Sequence, residues 1–373
     1  MGRNSGNGLS FLLLMVGVAL LVITGDVFAH ERWILTPTEV MEWNNKPKPE
    51  VFTRFSGINA AIFLVSFLVT LAVVHFGSTR AAMILPELQN KLRGLLPYTP
   101  SILRFCLAWA LISSAFAMEP RVGAEAFTSP TLLAPDLELA LLAEQWQWLL
   151  HLEVVLGVAF LMGIWVRFFA VVLAIFATAL MFLFGQHMLA YLPTYLGVAI
   201  FLLISGPGRF RVEIPAPHFM LKAVARIQEV PDYRAQMILR VLVGLNFMYL
   251  GIYFKVLQPN LILGIVKLYE IPVLSWAPET FVLIMSIVET VVGFLVVIGI
   301  LIRPLSLVLL FAFFFFATVL PESYGAHILL YGVMFAFLTG SRGHWRENQT
   351  ISAENTARRH VSGRSRIFSG QGG

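Results

Sequence analysis

The sequence predicts an all-α polytopic membrane protein: two parallel four-helix transmembrane bundles, preceded by an N-terminal span and a signal-like segment. Three observations predict it. The chain is 58% hydrophobic and 13% charged, with a mean hydropathy of +0.80, where soluble domains carry about 25% charged residues. Apolar runs of near-membrane length, about 20 residues each, recur along most of its 373 residues. A set of charged and glycine positions then repeats at one fixed offset. The basic pI of about 9.4 does not indicate nucleic acid, because the basic residues form no aromatic-interleaved patch; they sit where membrane topology would place them.

Residues 1–29 open with Arg3, continue as the apolar run "FLLLMVGVALLVITG" at 11–25 and end on Val27-Phe28-Ala29. This is the pattern of a secretory signal cleaved before His30, or of an uncleaved first span of the same orientation. Segment 30–56 is then an outer, periplasmic segment, and 57–100 holds an extra span near 57–77 and a cytoplasmic loop. Further spans fall near 101–118, 145–165, 168–186, 189–206, 236–254, 280–301, 304–320 and 327–340. With 30–56 outside, seven basic residues face outward: Arg32, Lys46, Lys48, Arg54, Arg121, Lys255 and Lys267. The remaining 19 of the 26 face inward. That asymmetry sets the orientation by the positive-inside rule. It places the chain in a bacterial or archaeal-type cytoplasmic membrane, with a polar, disordered tail at 343–373 on the inner side.

The repeat is read from "LEVVLGVAFLMGIWVRFF" at 152–169 and "VETVVGFLVVIGILIRPL" at 288–305. Glu153/Glu289, Gly157/Gly293, Gly163/Gly299 and Arg167/Arg303 each differ by 136 residues, as do Arg104 and Arg240. Two copies of a four-span unit follow, at 101–208 and 236–342, joined by a cytoplasmic connector at 209–235 with an amphipathic middle. An even span count makes both copies start on the same side, so they are parallel.

Rise per residue sets depth. Lys255 lies about 22 Å from Arg240, Glu289 about 21 Å from Arg303 and His327 about 20 Å from Gly340. Lys255, Glu289 and His327 therefore share a level in the outer third, and the first copy carries Glu119 and Glu153 at the places of Lys255 and Glu289. A lone glutamate in lipid costs roughly 2.5–3.5 kcal/mol, so Glu289 needs a partner, a proton or a task. Arg104, Arg167, Arg240 and Arg303 read as interface anchors, Trp146 and Trp148 as an outer aromatic belt with His151 beside them, and the four paired glycines as sites of close packing. Cys106 is a lone packing cysteine, which excludes a disulfide framework or cysteine-based zinc site.

At these residues the chain resembles the DoxX family of four-span membrane proteins. The second copy carries the family's whole pattern, in "RVLVGLNFMYLGIYFK", "ETVVGFLVVIGILIR", "GAHILLYG" and "LTG". The first keeps Arg104, Glu153, Gly163 and Arg167 but lacks the lysine. The resemblance implies a membrane-embedded bundle often associated with redox systems; the family's name traces to a thiosulfate:quinone oxidoreductase, so a sulfur-directed system is one expectation, while the electron donor lies beyond the sequence. On this reading Lys255, Glu289 and His327 handle the protons of a bound quinone, Glu and His supplying donors and acceptors, and Tyr249, Tyr253 and Tyr324 hold its headgroup. The chain shows no flavin, haem or thiol motif of its own, so a redox partner subunit is expected beside the lipid bilayer. Three alternatives stand beside this reading: a buried Lys–Glu pair that only sets helix register, a non-catalytic scaffold or anchor, and a small-solute or proton-coupled carrier. Copper at an exposed His30 amine and imidazole is a further, weaker expectation. No nucleotide fingerprint or Ser-His-Asp order occurs.

Overall fold

The computed structural model describes residues 34–54, 56–80, 91–92, 94–118, 125–215, 227, 230, 232–273, 276–320 and 323–340. The signal-like segment 1–29, His30, Glu119, Arg121, the connector at 216–226 and the tail at 343–373 lie outside the described residues. The helices used below are α1 (Pro37–Asn44), α2 (Gly57–Arg80), α3 (Thr99–Ala115), α4 (Trp148–Met162), α5 (Val166–Phe184), α6 (Leu192–Ser205), α7 (Asp232–Tyr249), α8 (Pro259–Leu268), α9 (Pro278–Ile298), α10 (Ile302–Val319) and α11 (Ile328–Gly340). Between α7 and α8, residues Leu250–Leu257 continue the helix in π form.

Among the described residues, six helical segments are long and apolar enough to cross a membrane: α2, α4, α5, α7 with its π extension, α9 and α10. The other three expected spans are helices of 17, 14 and 13 residues, α3, α6 and α11. These three lie with α7 in the middle of the molecule. A helix surrounded by protein can end early, because neighbours rather than water satisfy its terminal backbone groups.

The copies pack by one rule applied twice. The contact of α3 with α4 recurs as α7 with α9, and that of α5 with α6 as α10 with α11. Between copies, α6 lies along α7 and α11 along α3, so the last helix of each copy covers the first helix of the other. The two four-helix units thus share one apolar core, in which Leu107, Phe160 and Leu202 of the first meet Val243, Val296 and Phe337 of the second. The orientation of the copies is also equal. The start of α3 meets the end of α11 through Thr99 and Thr339, whose hydroxyls are 2.7 Å apart, while the ends of α6 and α11 receive Arg167 and Arg303 from the starts of α5 and α10. One end of the molecule therefore gathers all four repeated arginines.

Repeated glycines do two different jobs. Gly163 and Gly299 end α4 and α9 in the left-handed region, at φ 73° and 83°, which glycine adopts without a Cβ penalty. Two residues later Trp165 and Leu301 are also left-handed, at φ 39° and 55°, so the tight corner into the next helix is repeated down to its strain. Gly293 acts by size instead. A Cβ there would stand 2.6 Å from the Gly244 carbonyl oxygen, and one at Gly251 2.6 Å from Thr290 Oγ1. Helices α7 and α9 thus approach backbone to backbone.

Two of the four arginines are not interface anchors reaching for water, while Arg167 and Arg303 keep partial exposure. Arg104 is fully buried and Arg240 is 6% exposed. Arg104 donates to the carbonyls of Phe160, Leu161 and Phe210, and Arg167 to those of Leu203 and Ile204 at 3.1 and 3.3 Å. Arg303 donates to Leu338 O at 2.9 Å. The last carbonyls of a helix have no intrahelical donor and carry partial negative charge; here guanidinium groups complete them inside the protein.

The outer segment expected at 30–56 is ordered where it is described. Thr36 and Glu39 form a reciprocal capping box that starts α1. Ile34, Leu35, Val40 and Trp43 then bury against α8, with Trp43 over Gly264, where a Cβ would meet the indole at 2.8 Å. Tyr269 OH donates to Ile34 O at 2.8 Å, and Asn260 Nδ2 to Lys46 O at 2.5 Å. Burial raises the Tyr269 phenol above its ordinary pKa, and the Glu39 carboxylate adds to the rise.

Candidate functional site

Close packing of α7 on α9 brings the first two candidate residues together. Lys255, on the π segment, forms a direct ion pair with Glu289 of α9. Their side chains are 17% and 22% exposed, between a sealed core pair and a surface one. Ile252, Leu257 and Val288, next along the same segments, are exposed apolar residues. The pair is therefore set in an apolar flank of the second copy.

The π form bears on the chemistry. The equivalent of Gly251 is Ala115, where α3 ends; the second copy continues instead for Leu250–Leu257 and carries Lys255 there. Wide i→i+5 turns are rare inside helices and cluster at functional sites. On the same stretch, Tyr249 and Tyr253 stack with ring centroids 5.1 Å apart and planes 9° apart. Tyr253 OH donates to Gln186 Oε1 at 2.9 Å, a contact from the second copy to the first. The Tyr249 hydroxyl is buried with no hydrogen-bond partner, so it is a donor in want of an acceptor.

The first copy solves its glutamate differently. Glu153 is fully buried and accepts the Leu133 N–H at 2.7 Å. Leu133 belongs to the compact loop Thr131–Leu139, with φ 65°, and Tyr195 OH donates to its carbonyl. A backbone amide stands where the second copy has a lysine, and the loop folds inward where the second copy places α8.

His327 and Tyr324, just before the start of α11, both pack on α10. The His327 ring stacks on Phe313 of α10, at 5.2 Å and 16°, and lines a cavity of about 100 Å³ between the copies whose walls include neither Lys255 nor Glu289. Tyr324 is exposed, stacks on Phe314 at 5.1 Å and has its hydroxyl 3.3 Å from Thr318 Oγ1. Helix rise fixes the depth of a residue and does not specify its direction around the bundle.

No family model, curated protein or solved structure matches this chain at a significant level. The DoxX resemblance thus rests on the motif residues themselves. Among the described residues no group of three or more His, Cys, Asp or Glu side chains converges as a metal site. Trp146 and Trp148 stand at the start of α4, away from the arginine end, with ring centroids 6.5 Å apart.

Proposed function

We propose that this chain is a DoxX-like membrane component of a quinone-linked redox system, with the quinone headgroup held at the flank of α7 and α9. The observation that carries the reading is the direct Lys255–Glu289 ion pair on a π-helical segment, open to an apolar surface. A quinone supplies two-electron, two-proton chemistry when bound, and its carbonyl oxygens are acceptors. The Lys255 ammonium and the Tyr249 hydroxyl are the donors available to them, and Glu289 is the group that can hold or pass a proton. The apolar residues around the pair suit a ring and isoprenoid tail that arrive through the lipid. Under this reading electrons come from a partner subunit. The outer side of the Lys–Glu level, the inward C-terminus and the cytoplasmic membrane follow from the basic-residue asymmetry. His327 and Tyr324 are not assigned to this site.

Decylubiquinone binding to the full chain in lipid nanodiscs tests the proposal. Saturable binding is expected, with Tyr249→Phe weakening it about tenfold, the factor for one hydrogen bond worth about 1.4 kcal/mol, and Glu289→Gln weakening it comparably because Lys255 loses the carboxylate that positions its ammonium. Folded yield should be unchanged in Tyr249→Phe and should fall less in Glu289→Gln than in Glu289→Leu, since the amide oxygen still accepts from Lys255. Equal affinity in the wild type and in both variants would remove the headgroup from this flank and leave the pair a structural feature.

A further inference from the structure

The cavity between the copies carries an inference independent of the quinone reading. Residues related by the 136-residue offset line it together, among them Ala110 with Asn246, Ser114 with Leu250 and Thr194 with Leu330. It therefore straddles the axis that relates the copies, at the end away from the arginines. In each of these three pairs one copy presents a polar side chain and the other an apolar one, while Ala190 with Ala326 and Tyr191 with His327 match in kind. Divergence has made a symmetric position into an asymmetric lining.

Two of those polar groups are incomplete. Thr194 and Asn246 are 5% and 4% exposed, and Thr194 Oγ1 and Asn246 Oδ1 are buried with no hydrogen-bond partner. Buried polar atoms are nearly always satisfied, by protein or by a bound molecule. A hydroxyl can donate or accept, while an amide oxygen only accepts. No Asp, Glu, Lys or Arg lines the cavity, and Leu133, Phe247 and Leu329 contribute apolar wall. An ion there would find no carboxylate, ammonium or guanidinium as counter-charge; His327 is the one basic side chain in the wall. A single water needs roughly 10–15 Å³ of such space, so about 100 Å³ admits more than one water and suits a molecule of a few heavy atoms.

We propose that this cavity is a binding site for one small, uncharged, hydroxyl-bearing molecule of the size of a three-carbon polyol. One of its hydroxyls donates to Asn246 Oδ1 and another accepts from or donates to Thr194 Oγ1. The apolar walls take its carbon skeleton. The site lies where repeat-built membrane proteins bring their two halves together, and it is formed by both copies, so neither copy alone contains it.

The test uses glycerol as the probe. Cys106 is the chain's single cysteine, so Cys106→Ser with Ala110→Cys gives one thiol in the cavity wall. Its modification by methyl methanethiosulfonate is followed in nanodiscs, with sucrose at equal osmolality as baseline. Glycerol is expected to slow modification saturably by at least about tenfold, and Thr194→Val or Asn246→Leu to raise the half-saturating concentration about tenfold. Acetate and ammonium should not protect. Saturation-transfer NMR of glycerol on the unmodified chain, lost in the same two variants, covers the case that Ala110→Cys misfolds. The proposal is overturned if glycerol protects no more than sucrose and gives no transfer signal, or if acetate protects equally.

Discussion

Arg104→Met is expected to destabilise the folded protein by about 2–5 kcal/mol, the largest loss from any single change considered. The side chain is fully buried and completes three carbonyls, on Phe160, Leu161 and Phe210. Hydrogen bonds from a charged donor contribute about 1.5–3 kcal/mol each, and an acceptor left unsatisfied in the interior costs about 1–3 kcal/mol. Interhelical bonds in membranes often measure nearer 0.6 kcal/mol because the unfolded chain finds other partners. Three carbonyls losing one common donor sum to about 2 kcal/mol even at that lower end. Arg104→Lys should rescue little, since an ammonium cannot fork to carbonyls on two separate segments. Arg209→Met, whose side chain lies exposed against Tyr98, should change stability by no more than about 0.5 kcal/mol. Equilibrium unfolding in mixed micelles reads all three, and a small effect at Arg104 would contradict the capping role.

The second large effect is expected at the ion pair. Lys255→Met alone leaves the Glu289 carboxylate in an apolar flank and should cost about 1–3 kcal/mol of stability, below the 3–5 kcal/mol of a sealed pair because both side chains keep partial exposure. Glu289→Leu alone should act in the same direction. The double variant Lys255→Met/Glu289→Leu should recover most of the folded yield, since the pair's attraction and its desolvation nearly cancel. Decylubiquinone binding should stay lost in the double variant. Recovery of both yield and binding would mean that the pair sets register and nothing more. Failure to recover yield would mean that the two residues do not act as a pair.

The parts of this molecule that were legible in advance depend on rare residues in apolar surroundings. Arg104, Arg167, Glu153 and their counterparts stand out because an ionisable group in a span is costly, and their common offset exposed the duplication. Axial rise then placed Lys255 level with Glu289, and the two do meet. Direction around a helix was not legible in the same way: His327 has the expected depth but lines the cavity between the copies. The π segment was hidden because "LGIYFKVL" is apolar in either helical form. Helix α8 was hidden because "PNLILGIVKL" is too short to read as a span, and its cover, α1, comes from more than 200 residues earlier. The arginines were visible but read as anchors, because their carbonyl acceptors come from helix ends elsewhere in the chain. For Arg104 the acceptors lie 56, 57 and 106 residues away. The unpartnered Tyr249 hydroxyl and Thr194 and Asn246 oxygens had no signal at all in a single sequence, since satisfaction of a polar atom is a property of the packed state.

Covalent labelling of the full chain in membranes with a photoreactive azidoquinone tests the central claim most directly. The account predicts adducts on the peptides that carry Leu250–Leu257 and Glu289, competed by unlabelled decylubiquinone and reduced about tenfold in Glu289→Gln, where Lys255 loses the carboxylate that positions it. Adducts confined to other helices, or labelling at this flank that excess decylubiquinone does not reduce, would contradict it.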